Sequence, residues 1–209
     1  MSSPRVLSLA QAGGRPREQP LPYPDFPIAR LIRSNAYDFQ LVFAEEAATR
    51  AHQRFEDALL APGRDGLLIL GRHEQALKAP TDALQALYPW KLEVGMACVR
   101  YRSGEVTLEP VMLVTADVPR FNAQAVHDDL ASRTDEPVSL AYAYDRALLT
   151  AKVRLARLLG YAQSLERFTR GAGAARIWLS GWAPVQPSQG PEGPEGPEGP
   201  EGPEGPAAA

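Results

Sequence analysis

The chain has a single cysteine, Cys98, so no internal disulfide is possible, and the cysteine usage fits a reducing, cytoplasmic setting. No histidine lies near it in sequence, and it reads as a small buried hydrophobe, not a reactive thiol. Histidine is almost as scarce: His52, His73 and His127 have no metal-ligand spacing to one another or to the cysteine. No apolar run approaches the ~20 residues that cross a bilayer, and the N-terminus lacks a secretory apolar core. Neither a nucleophile elbow G-x-S-x-G nor a phosphate-cradling G-x-x-x-x-G-K-[ST] occurs. These absences point away from an enzyme, a metal, a GTP site or any other cofactor, and away from a membrane. Excess charge of one sign is missing too. The net charge is −3, and Glu192, Glu195, Glu198, Glu201 and Glu204 of the tail supply more than that deficit. The rest is near neutral, so any nucleic-acid contact must come from a local patch.

Proline, by contrast, is plentiful at both ends. Residues 1–28 hold Pro4, Pro16, Pro20, Pro22, Pro24 and Pro27, a density that prevents a helix or a central strand. An extended or disordered arm is expected there, with a docking peptide as the functional alternative. Residues 186–209 are low complexity, with GPE triplets from Gly190 to Glu204. Glycine at every third position is a collagen-like feature, but the run is short and the third position is never proline. A solvated, disordered acidic tail is expected.

Between the arms the pattern is α+β. Tyr37–Phe43 is a strand candidate by aromatic content. Glu45–Leu60 carries a helical stripe (Ala47, Ala48, Ala51, Phe55, Ala58, Leu59) and Pro62-Gly63 stops it. Gly66–Leu70 reads as a buried strand. His73–Leu87 is helical in pattern with a break at Pro80, Thr81 or Asp82 capping the second piece. Lys91–Tyr101 alternates as a strand. The first domain, 36–103, is therefore β-α-β-α-β. In the second, 108–185, Leu108–Val118 opens as a strand and Asn122–Ser132 is a helix. Val138–Tyr144 and Ala147–Leu155 form a hairpin over Asp145-Arg146. A helix follows, with Leu155, Leu158, Leu159, Ala162 and Leu165 on one face. Gly171 and Gly173 end it, and Ala175–Trp182 is the last strand. That order is βαββαβ, the split, ferredoxin-like arrangement.

The stretch from Ala151 to Trp182 also carries charge. Glu166 is its only acid, against Lys152, Arg154, Arg157, Arg167, Arg170 and Arg176. Such a cluster is either a solvated face or a patch that contacts phosphates.

The same stretch resembles the C-terminal domain, domain V, of elongation factor G. The shared pattern is Ala151, Lys152, Val153, Leu155, Ala156, Gly160, Tyr161, Leu165, Thr169, Gly171 and Gly173 at matching spacing, and Leu108-Glu109-Pro110 matches the strand entry. Gly160 within a helical pattern costs ~1 kcal/mol against alanine, which a generic helix does not explain. A weaker likeness to domain III of the same family rests on Gly71, Glu74 and Val99-Arg100-Tyr101-Arg102; the family's histidine and second glycine have no match. The resemblance implies two small ferredoxin-like domains, the first degenerate. With Leu108 so soon after Arg102, it also implies the absence of domain IV and of the GTPase domain. It implies contact with the large ribosomal subunit, where domain V lies against the stalk base and nearby rRNA, and a role in modulating translation. Two departures remove cations: Leu130-Ala131-Ser132-Arg133-Thr134-Asp135 replaces an L-N-x-R-R-G loop, and Ala172 stands between Gly171 and Gly173. They leave open a protein-interaction or scaffold module that has lost the ribosome and recruits a protein partner through its terminal arms.

Overall fold

The computed structural model describes residues 22–51 and 55–185. The N-terminal arm up to residue 21, the acidic tail and His52 lie outside the described residues. Among the described residues, eight strands and five α-helices follow one another. They are β1 (Ile28–Ser34), α1 (Gln40–Arg50), β2 (Ala58–Gly63), β3 (Gly66–Gly71), α2 (Lys78–Leu87) and β4 (Leu92–Val99), then β5 (Leu108–Pro119), α3 (Ala123–Arg133), β6 (Ser139–Ala143), β7 (Arg146–Arg154), α4 (Leu155–Leu158), α5 (Tyr161–Thr169) and β8 (Ala174–Pro184). They form two antiparallel four-stranded sheets, ordered β2-β3-β1-β4 and β6-β7-β5-β8. Each set is βαββαβ with the same order, so both halves are ferredoxin-like.

The second half follows the expected pattern closely. In β5, Met112, Val114, Ala116 and Val118 are buried, and in β7 Ala147, Leu149, Ala151 and Val153. Val126 and Leu130 of α3 and Leu165 of α5 close over them. Burying such a side chain contributes about 1.5–3 kcal/mol.

The first half departs from the expected one at four places. Its first strand is Ile28–Ser34, not Tyr37–Phe43. Arg30 and Arg33 and a bulge between Arg30 and Ile32 break the period-two signal there. Tyr37–Phe43 is instead a loop running into α1. Gln40 accepts from the Ser34 N–H at 2.9 Å and donates to the Ser34 and Tyr37 carbonyls at 2.9 and 3.0 Å, which folds the chain back. Phe43, Ala44 and Ala47 then share the buried helix face. The helix ends at Arg50, and Ala58–Gly63 forms a hairpin with β3. Pro62 is tolerated because β2 is an edge strand. Pro80 does not break a helix. It occupies the first turn of α2, where an N–H would lack an intrahelical partner. Thr81 is no cap either; its hydroxyl donates to the Leu77 carbonyl at 2.6 Å.

The two halves are joined by an Arg102–Leu108 backbone bridge and by a hydrogen bond between residues far apart in the chain. Glu74, in a 3₁₀ turn before α2, accepts from the Gly160 N–H at 2.7 Å. Beside it, Leu155, Leu158, Tyr161 and Ile177 meet His73 around a small apolar pocket.

Candidate nucleic-acid interface

The expected continuous helix after β7 is two helices, and the glycine is the reason. Leu155–Leu158 makes one turn, Gly160 adopts φ 76°, and α5 starts at Tyr161. A Cβ at Gly160 would meet no atom within 4 Å, so the requirement is the left-handed backbone alone. Gly173 serves differently: a Cβ there would lie 2.8 Å from Thr169 Cγ2, whose side chain is buried under the turn. Gly171, at φ 81°, and Arg170, at φ 52°, turn the chain out of α5. Tyr161 is fully buried beneath the Arg133 guanidinium, 5.6 Å from the ring centroid, and its hydroxyl has no hydrogen-bond partner among the described residues. Burial, with Asp129 nearby, pushes its pKa well above the usual tyrosine value.

This kinked connection assembles a groove of about 130 Å³ at one end of the second sheet. Arg133, Lys152, Arg154 and Arg157 line it, with Asp135 and Glu136 opposing them. Four cations against two acids favour an anion, but the cations are not equally available. Arg154 is committed: it donates to the Glu109 carboxylate and, at 2.8 Å, to the Pro184 carbonyl. Glu109 is 5% exposed, so this pair neutralises a buried charge. Arg133 is committed as well. It reaches Asp129 at 3.0 Å, Ser164 Oγ at 3.2 Å and the carbonyls of Arg157 and Leu159 at 2.9 and 3.3 Å. Arg157 donates to Asp135 at 2.9 Å, but that pair is exposed and weak enough to be exchanged for a phosphate. Lys152 has no side-chain partner among the described residues, while its carbonyl accepts from Thr134 Oγ1 at 2.6 Å and ties the Arg133–Glu136 loop to β7.

The six cations of the sequence patch therefore separate. Lys152, Arg154 and Arg157 share the groove. Arg167, stacked on Phe168 at 5.2 Å, and Arg170 lie at the far end, where Arg146 donates to the Ala172 carbonyl and Asn122 to the Phe168 carbonyl. Arg176 stands on the edge strand β8, opposite Thr115. Glu109, the partner that removes Arg154 from the exposed set, is not among the site residues expected from the sequence. Its signal is there, since Glu109, Val111, Leu113, Thr115 and Asp117 alternate with a buried set along β5. Among the described residues no cluster of His, Cys, Asp or Glu could hold a metal, and no helix is long and apolar enough to span a membrane.

The fold defines the second half as a ferredoxin-like module, and its family match makes it a translation-factor-related one. Residues 106–191 match the family described as elongation factor G C-terminus. Elongation factor G 2 of Streptomyces coelicolor is 37% identical over 81 residues, which cover 39% of this chain and 12% of that protein. A crystal structure of a Thermus thermophilus protein superposes on 84% of this chain and 44% of its own with a TM-score of 0.55 at 15% identity, a likeness of fold that includes both halves. Residues 106–191 are thus an elongation factor G C-terminal-domain-like region, and the alignment spans a small part of the curated relative's length.

Proposed function

We propose that this chain is a non-catalytic module that binds the large ribosomal subunit and modulates translation. The observation that carries the reading is the family match over 106–191 together with the groove that its kinked α4–α5 connection builds around Lys152 and Arg157. The first half, with the same strand order, stands in this reading as the counterpart of domain III of elongation factor G, and the likeness of fold across both halves supports it. The test is sedimentation of the tagged protein with ribosomes at physiological salt. Co-migration is expected, and Lys152→Glu with Arg157→Glu should abolish it. A protein left wholly at the top of the gradient overturns the reading. The second reading, a protein scaffold freed of the ribosome, is favoured by Arg133 and Arg154 being spent on internal contacts. A pull-down that returns one stoichiometric non-ribosomal protein would select it.

A further inference from the structure

The helix-free face of the second sheet carries a charge arrangement that extends beyond the groove, with which it shares Lys152 and Arg154. Cross-strand register places Lys152, Leu113 and Trp178 in one row, and Ser139, Thr150, Thr115 and Arg176 in the next. Both carboxylates that β5 contributes to this face are already paired within it. Glu109 holds Arg154 at one end, and Asp117 holds Arg146 at 2.8 Å at the other. Between these two ion pairs, Lys152 and Arg176 are exposed and have no partner among the described residues. Trp178 shares its row with Lys152 and its strand with Arg176, and is 44% exposed, although an indole of that size is usually buried. Neighbouring strands are about 4.8 Å apart, so Lys152 and Trp178 flank Leu113 within roughly 10 Å.

We infer that this face is a platform for single-stranded RNA: a base stacks on Trp178, phosphates lie on Lys152 and Arg176, and Thr115 and Thr150 offer hydroxyls between them. The chemistry separates this ligand from others. An acidic or apolar protein surface would leave either the indole or the cations poorly matched. A duplex keeps its bases stacked and its faces inaccessible, whereas a single strand presents both a π-face and a phosphate at each step. The inference deepens the proposed ribosomal role and rests on it only as to which RNA is bound.

The test is fluorescence anisotropy of the full chain with a 5′-labelled decauridylate and, in parallel, a ten-base-pair RNA duplex. The single strand should bind more tightly than the duplex. Trp178→Ala should weaken it by roughly 5- to 150-fold, the range measured for one stacked base. Trp178→Phe should stay close to the parent, which separates stacking from misfolding. Lys152→Glu with Arg176→Glu should flatten the slope of log affinity against log salt by about 1.4, two phosphates at ~0.7 each. Equal binding of duplex and single strand, or a Trp178→Ala variant that binds like the parent, overturns the platform. Absent oligonucleotide binding alongside intact ribosome sedimentation also overturns it and leaves the proposed function standing. Oligonucleotide binding without sedimentation does the reverse.

Discussion

The two sheets share a strand order and differ in the face that the helices leave uncovered. In the first, Leu59, Leu70, Ala29 and Cys98 form one row across that face, with Leu68 and Leu31 in the next. Leu70 is 2% exposed there although it points away from the helices. In the second, the corresponding face carries Thr150, Thr115, Lys152 and Arg176, framed by two ion pairs. The backbone plan is the same, so chemistry enters through the alternate residues of each strand. The first face is apolar and can be stabilised by burial, while the second keeps Lys152 and Arg176 exposed.

The largest effect is expected at Arg154. Arg154→Ala leaves Glu109 as a buried, unpaired carboxylate and should cost about 3–5 kcal/mol in urea denaturation. Adding Glu109→Gln should recover most of the loss; no recovery would mean that the pair does not frame the face. The matching lesion in the first sheet is Leu70→Ala, expected to cost about 2–5 kcal/mol by burial alone, with no dependence on salt. A cost below about 1 kcal/mol would show that this face is not an apolar layer.

Smaller effects are expected at the junction of the two halves. Gly160→Ala forces a left-handed alanine and should cost about 1–2 kcal/mol, since nothing obstructs the added methyl. Glu74→Ala removes the acceptor for the Gly160 N–H and should cost about 1 kcal/mol. Its readout is calorimetric: the two halves should unfold less cooperatively, and an unchanged single transition would show that this bond does not couple them. The smallest change at neutral pH is expected for Tyr161→Phe, which deletes an unpaired hydroxyl. Its effect belongs at high pH. Burial keeps Tyr161 protonated in the folded protein, while the unfolded chain ionises near the ordinary value of about 10. Stability from this residue is therefore complete below that pH and falls as pH rises beyond it. The phenylalanine variant should lose less stability between neutral and strongly alkaline pH, and a parallel decline would exclude Tyr161 as a cause.

The second half was legible in the sequence because its strands alternate cleanly. Ala147, Leu149, Ala151 and Val153 show one face of β7, and Lys152 and Arg154 the other. The first half was harder because its central strand carries Arg30, which donates to Thr81 at 3.1 Å, next to a bulge that shifts the period. The aromatic run at Tyr37–Phe43 has strand-like composition, yet Gln40 draws the chain into a turn through contacts with Ser34, and no local propensity shows that. At the candidate site, the sequence showed six cations close together along the chain. Helix α5 carries two of them to the opposite end of the sheet, and a buried acid takes another.

The sequence alone carries the strand pattern of the second half, the family likeness of that region and the glycine stop at 171 and 173. These rest on local properties: side-chain period, backbone sterics and a dense motif. Tertiary pairing alone sets which cations remain unpaired. That outcome depends on partners far apart in the chain, Glu109 for Arg154 and Asp117 for Arg146, which strand pairing brings together. It also gave the reason for the glycine at 160, a left-handed residue between two short helices at the point where the first half's Glu74 meets the second.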